Sequence, residues 1–151
     1  MFGISALAYA EHKEIDLVTA NFPPFRSVSA GGVSGADYDI VTAVLTRMGY
    51  QYAIKVYPLN RAIKVAEAGR EAAGFFTFTR NDEREKHFVF SAPISTVQDV
   101  FFKRVERKIR WRDLHDVADY TIGVSDGYNY APAFMSAIRN KQFKTILAAG
   151  D

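Results

Sequence analysis

IDLVTANFPPF, residues 15–25, opens on a short β-branched run and ends on two prolines. The run at 15–19 predicts a strand. Asn21 and the prolines stop it, because proline cannot donate to a central ladder. A Gly/Ser-rich stretch follows at 27–35. Beyond it, Ile40, Val41, Val44, Leu45 and Met48 recur at helical spacing. Asp37 stands where a cap would, and Gly49 stands where the helix should end. Residues 52–57 predict a second strand, closed by Pro58. Asn60 is placed to cap a second helix through Ala68, ended by Gly69. AAGFFT, residues 72–77, predicts a third, buried strand. The order β-α-β-α-β implies a parallel sheet with right-handed crossovers.

Further along, residues 79–86 are polar and charged and predict a loop or a short helical turn. FVF at 88–90 and VFF at 100–102 predict further strands. Residues 103–112 form a basic stretch containing Trp111, expected as a solvated connector between lobes or as a contact for an acidic partner. Leu114 and Val117 mark a short helix. Residues 120–124 predict a strand, 125–127 a turn, and about 130–139 a helix with Pro132 in its first turn, where proline is tolerated. Residues 145–148 predict a last strand, so a second β-α-β has begun when the chain stops. The expected fold class is α/β, with two parallel-sheet lobes. The first is expected at 11–102 and the second, incomplete, at 103–151.

Composition narrows the function. The chain has 151 residues, 48% hydrophobic and 24% charged, which is globular usage. A net charge of +2 gives no reason to expect a nucleic-acid partner. With no cysteine there can be no disulfide, thiolate metal site or cysteine nucleophile. His12, His87 and His115 lack metal-ligand spacing, so no metal is expected. Gly32-Val-Ser-Gly35 fails the nucleophile-elbow pattern, and there is no phosphate loop or dinucleotide fingerprint. No catalytic residues and no cofactor are expected. Residues 1–10, MFGISALAYA, are uncharged, end in the small-x-small pattern Ala8-Tyr9-Ala10 and precede the charged EHKE. They are expected to be the back half of a secretory signal peptide, the alternative being a frayed apolar N-terminus.

In an open parallel α/β sheet, ligands bind beyond the carboxyl ends of the strands. Here those ends lead into Phe22-Pro-Pro-Phe25, Pro58-Leu-Asn-Arg61, Thr77-Phe-Thr79 with Arg84, and Ser125 to Tyr130. The expected rim therefore holds Phe22, Arg61, Thr77, Thr79, Arg84, Tyr128, Asn129 and Tyr130. This set suits an anionic or zwitterionic small molecule. Arg84 can grip a carboxylate with two parallel hydrogen bonds. Thr77 and Thr79 can add hydroxyl donors. Backbone N–H groups at 128–130, expected to open a helix, favour negative charge. Phe22 and Tyr128 can cover an apolar part. The alternative use of Arg84 is a surface pair with Asp82 or Glu83.

Several of these segments together resemble a known family. Phe22-Pro-Pro-Phe25 and Tyr38-Asp-Ile-Val41 are similar to the opening of the family 3 extracellular solute-binding proteins, the periplasmic receptors of polar amino-acid ABC transporters. Pro58-Leu-Asn-Arg-Ala62, Asp82-Glu-Arg84, Phe90-Ser-Ala-Pro-Ile94, Trp111-Arg-Asp-Leu114, Ile122-Gly-Val124 and Gly127-Tyr-Asn-Tyr130 follow in the family's order. The resemblance implies a two-lobed protein that closes on its ligand because the ligand bridges both lobes only when they are shut. It implies that Arg84 holds the ligand α-carboxylate, that Thr79 supplies a hydroxyl and Phe22 the covering ring, and that Tyr128, Asn129 and Tyr130 contribute from the second lobe. Leu59 departs from the usual aromatic and Ala72 from the usual aspartate. The chain also ends at Asp151, where members continue, which makes it look C-terminally truncated. The expected function is periplasmic capture of a small polar solute for an ABC permease, without covalent chemistry. A homodimer covering the incomplete lobe is an accompanying expectation. The alternatives are a sensor or remnant domain of the same fold and a periplasmic lyase or hydrolase.

Overall fold

The computed structural model describes residues 13–148. The expected signal-peptide remnant at 1–10 lies outside them. The chain divides at Thr77/Phe78 into two compact units. The lobe boundary expected from the sequence is 102/103.

In the first unit, β1 (Lys13–Thr19) pairs in parallel with β4 (Tyr50–Val56) on one side and β5 (Gly74–Phe75) on the other. The three-stranded order is β4-β1-β5. Between β1 and β4 run a hairpin, β2 (Ser27–Ser29) with β3 (Gly32–Ser34), and α1 (Ala36–Arg47). The Gly/Ser-rich stretch thus pairs with itself, Val28 opposite Val33. Helix α2 (Leu59–Ala68) follows β4 and ends at Gly69, whose φ of 63° is the left-handed cap expected there. The expected cap residues act differently. The N-caps are Gly35 and Pro58, with Asp37 and Asn60 already inside the first turns. The third strand shrinks from the expected six residues to two, because the chain leaves the ladder at Phe76 and turns at Thr77, φ 59°. Val18, Ala20, Leu45, Ala62, Ala66, Ala72 and Phe76 form the buried apolar set.

Gly35 has one allowed identity. At its φ of 126°, an added Cβ would lie 2.5 Å from the Phe25 carbonyl oxygen and 2.7 Å from that of Pro24. Both are backbone atoms, and the Phe25 oxygen also accepts the Asp37 N–H at 2.9 Å. Gly35→Ala is expected to destabilise the first unit by about 2 kcal/mol or more, read as a lower urea midpoint at unchanged slope.

The second unit contains β6 (Thr121–Ser125), α3 (Pro132–Arg139) and β7 (Lys144–Ala148), with β6 and β7 paired in parallel. Pro132 opens α3, as expected. Single 3-10 turns occur at Arg84–Lys86 and His115–Val117. The core gathers Val117, Ala137 and Phe143, with Phe101, Trp111, Leu114, Ile122, Phe134 and Ile138 packed against them. Phe134 is the hub, its ring centroid 5.2 Å from Phe143, 5.4 Å from Tyr130 and 5.7 Å from Phe101.

The strands expected at 88–90 and 100–102 do not form. Among the described residues no neighbouring strand gives them a ladder. Their alternation nevertheless has a use. Phe88 and Phe90 both pack on Phe78, while Val89 between them is fully exposed. No helix among the described residues is long and apolar enough to cross a membrane.

Candidate functional site

The first unit places three expected residues at the carboxyl ends of its strands. Phe22 follows β1. Its backbone bridges Arg26 (Phe22 N–H to Arg26 O, 2.8 Å), and its ring stacks on Phe25 at 5.6 Å. Thr77 follows β5. Arg61 stands exposed on the first turn of α2, its guanidinium 4.4 Å above the Tyr57 ring.

Two residues outside the expected rim organise this end of the sheet. Arg26 is only 3% exposed. Its Nε donates to the Ala20 carbonyl, and its Nη1 donates to those of Phe76 (3.2 Å) and Thr77 (2.6 Å). The guanidinium also lies 5.4 Å from the Phe22 ring and 5.5 Å from that of Phe75. Asp37 is fully buried, and its Oδ2 accepts the Thr77 hydroxyl proton at 2.6 Å. The backbone reason is plain. The strands end here, their last carbonyls would be orphaned, and a forked donor satisfies several at once. Thr77 is β-branched and sits at positive φ, a conformation that costs about 1–3 kcal/mol. Both its hydroxyl and its carbonyl are held. Its one hydroxyl donor is therefore committed to Asp37, which leaves only acceptor capacity.

Neither Arg26 nor Asp37 was legible as a site-former. Asp37 carries a cap signal, and Arg26 merely follows the second Phe of an FPPF run.

The second unit brings together Thr79, Arg84, Tyr128, Asn129 and Tyr130. Asn81 accepts the Arg84 backbone N–H at 2.8 Å and starts the 3-10 turn there. The Arg84 guanidinium then lies 3.9 Å from the Phe78 ring centroid. Nη1 donates to the Thr79 carbonyl (2.8 Å) and Nη2 to the Gly127 carbonyl (3.1 Å). The surface pair with Asp82 or Glu83 does not form. Lys86 takes Glu83 and holds its carboxyl below the usual range, and Arg80 takes Glu85. Among the described residues no carboxylate faces Arg84. Partial burial pulls its pKa below the usual arginine value, yet arginine stays charged.

The loop opposite is braced from within. The Ser125 N–H donates to the Tyr130 hydroxyl at 2.8 Å, and Gly127 turns the chain at φ 73°. Tyr130 packs on Phe134 and lies 6.2 Å from Tyr128, whose ring is exposed. Asn129 is half-buried in the same loop. One expectation is corrected. Residues 128–130 do not open α3, which begins at Pro132, because Gly127 spends them on a loop first. The Ala131 N–H at the helix entrance is taken by Asp99 at 3.1 Å.

Two recesses lie elsewhere, one beside Arg61, Lys64 and Glu71 and one beside Trp111. Neither contains Arg84. Both are open to solvent. Among the described residues no group of three His, Asp or Glu side chains is placed to hold a metal.

Comparison with known proteins gives a consistent picture. The model of the bacterial extracellular solute-binding proteins, family 3, matches residues 16–150. No curated protein matches. Among solved structures, an arginine transport-system periplasmic binding protein from Legionella pneumophila is 24% identical, with a TM-score of 0.67 over 90% of this chain and 59% of that one. An ancestral amino acid-binding protein, a precursor of cyclohexadienyl dehydratase, has a TM-score of 0.71 at 17% identity, over 91% and 61%. A periplasmic binding protein of high arginine specificity from Salmonella typhimurium has a TM-score of 0.63 at 16% identity, over 90% and 60%. These likenesses show a periplasmic-binding-protein-like α/β fold. The chain spans about three fifths of the length of those structures.

Proposed function

The chain belongs to the bacterial extracellular solute-binding proteins, family 3, and from that premise we propose that it captures a small amino-acid-like solute in the periplasm and presents it to the permease of an ABC transporter. The observation that carries this reading is Arg84. A half-buried guanidinium with no carboxylate in reach among the described residues is laid on Phe78, and two of its five N–H groups are steered by the Thr79 and Gly127 carbonyls. The protein has paid the desolvation without supplying the counter-charge, which is what a site for a ligand carboxylate requires.

The proposed roles follow from this arrangement. Arg84 holds the carboxylate, with the Thr79 hydroxyl as a further donor to it. Tyr128 and Asn129 line the approach, while Tyr130 positions their loop. In the first unit, Phe22 supplies apolar cover, Arg61 a second cation, and Thr77 an acceptor for a ligand ammonium. No covalent step is part of this reading, and no cofactor. The lobe limits 11–102 and 103–151, the signal peptide and a second copy packed on β7, all of whose residues are exposed, belong to the same proposal.

Calorimetric titration with a panel of polar amino acids, arginine and glutamine included, tests it. One or more members should give saturable heat. The same panel esterified at the α-carboxyl should give none, because the ester removes the anion Arg84 is proposed to hold. Equal binding of acid and ester would rule out the carboxylate reading.

A further inference from the structure

Residues 103–112 carry six cations, Lys103, Arg104, Arg107, Lys108, Arg110 and Arg112, against one acid, Glu106. The segment's surplus exceeds the net +2 of the whole chain, so the remainder is net negative. The fold concentrates this charge further. The Arg107 N–H donates to the Arg104 carbonyl at 3.1 Å and closes a tight turn. Lys103 Nζ then straps across it to the Arg107 carbonyl at 3.0 Å. Cations from both arms of the turn are thus gathered at one end.

Among the described residues, two apolar side chains of the same segment are almost fully exposed. Val105, in the turn, is 94% exposed, and Phe102, at its foot, is 93% exposed. Behind the turn lies a recess of ≈ 720 Å³ lined by Lys103, Ile109, Arg110, Trp111, Arg112 and Asp116. Trp111 anchors it to the core, edge-on to Phe101 at 5.7 Å. Asp116, the one acid in its lining, is engaged by the Arg112 backbone N–H at 2.8 Å and by its guanidinium at 3.6 Å.

Exposed cations adjacent in the chain to two exposed apolar side chains fit one kind of partner better than others. An acidic polypeptide would use the charge but gives Phe102 and Val105 no place to go. A bilayer bearing anionic headgroups uses both, since cations are drawn to its surface potential while apolar side chains enter the headgroup–acyl boundary. We infer that the turn at residues 102–112 docks the protein on an anionic phospholipid surface, with Phe102 and Val105 inserted and Lys103, Arg104, Arg107, Lys108 and Arg110 on the headgroups. This does not depend on which solute the protein captures.

The test is co-sedimentation of the full chain with vesicles of phosphatidylglycerol and phosphatidylcholine in equal parts, and with phosphatidylcholine alone. Binding should be confined to the anionic vesicles and weaken as salt rises from 50 to 500 mM, concentrations chosen to collapse the screening length. Arg104→Glu with Arg107→Glu should weaken it roughly 25-fold or more, at about fivefold per basic residue. Phe102→Ser with Val105→Ser should weaken it as well at unchanged charge. All four side chains project from an exposed turn, so both variants should keep the wild-type circular dichroism. Equal binding to phosphatidylcholine, no binding to either vesicle, or a charge-reversed variant that binds like wild type would each overturn the inference. So would binding that survives loss of Phe102 and Val105 unchanged and is competed equally by polyglutamate, because the partner would then be an acidic polypeptide.

Discussion

Arg84→Ala is expected to remove the proposed solute binding and to leave the chain folded. Truncating one partner of a buried, hydrogen-bonded charge pair costs about 2–5 kcal/mol, a loss of some thirtyfold to several thousandfold in Kd. A loss within that range is expected here, because the guanidinium lies on the Phe78 ring and donates to the Gly127 carbonyl. The folded state loses far less. Two hydrogen bonds to carbonyls at the surface of the second unit are worth about 1 kcal/mol each at most, since water replaces the donor. Arg84→Lys is the sharper variant. It keeps the charge but gives up the planar fork, the face that lies on Phe78 and the reach to two carbonyls at once, so it should recover only part of the affinity. Titration of a binding amino acid into wild type, Arg84→Ala and Arg84→Lys, with circular dichroism of each, decides the matter. An Arg84→Ala isotherm matching wild type would remove Arg84 from the site.

Arg26→Met is expected to destabilise the first unit strongly. The guanidinium is buried, serves the carbonyls of Ala20, Phe76 and Thr77, and packs against two phenyl rings. Methionine fills much of the volume but takes this donor from the Ala20 and Thr77 carbonyls, while that of Phe76 keeps the Thr19 hydroxyl at 3.2 Å. It also removes a support of Thr77, whose positive φ is held from both sides. Breaking such a buried network costs about 3–5 kcal/mol, a large part of an ordinary domain's 5–15 kcal/mol. The urea midpoint of the first unit should fall accordingly. Arg26→Lys should lie between, because one ammonium cannot span three carbonyls. A midpoint within 0.5 kcal/mol of wild type would show that the network is ornamental (the size of an ordinary surface substitution).

Much of the fold was legible because its signals are local. The β-branched run of β1, the apolar spacing of α1 and the Gly69 stop each act within a few residues of themselves. The two missed strands show the limit of that logic. FVF at 88–90 has a strand's alternation, and the alternation is real, but a strand also needs a neighbour, and no local pattern states whether one is present. The same reasoning explains the site. Arg84, Thr79 and the Gly127–Tyr130 loop could be named from strand ends and from family resemblance. Phe78 beneath the guanidinium could not, nor could the Arg26 clasp, because two of its three acceptors lie about 50 residues further along. Asp37 offered a misleading local cue. An aspartate before a helix usually caps it, and only the tertiary fold shows that this one is buried against Thr77 instead.

The strand order β4-β1-β5 also fixes a sequence of events during synthesis. The strand made first is the central one. Lys13 must wait for Tyr50 before one of its edges is filled, and Leu17 must wait for Gly74 before the other is. Arg26 likewise emerges from the ribosome long before Phe76 and Thr77. A nascent chain stopped anywhere short of Thr77 therefore holds an unfinished centre and a cation without its acceptors. The pairing of β1 on both edges is therefore complete only after residues 74–75 have been made.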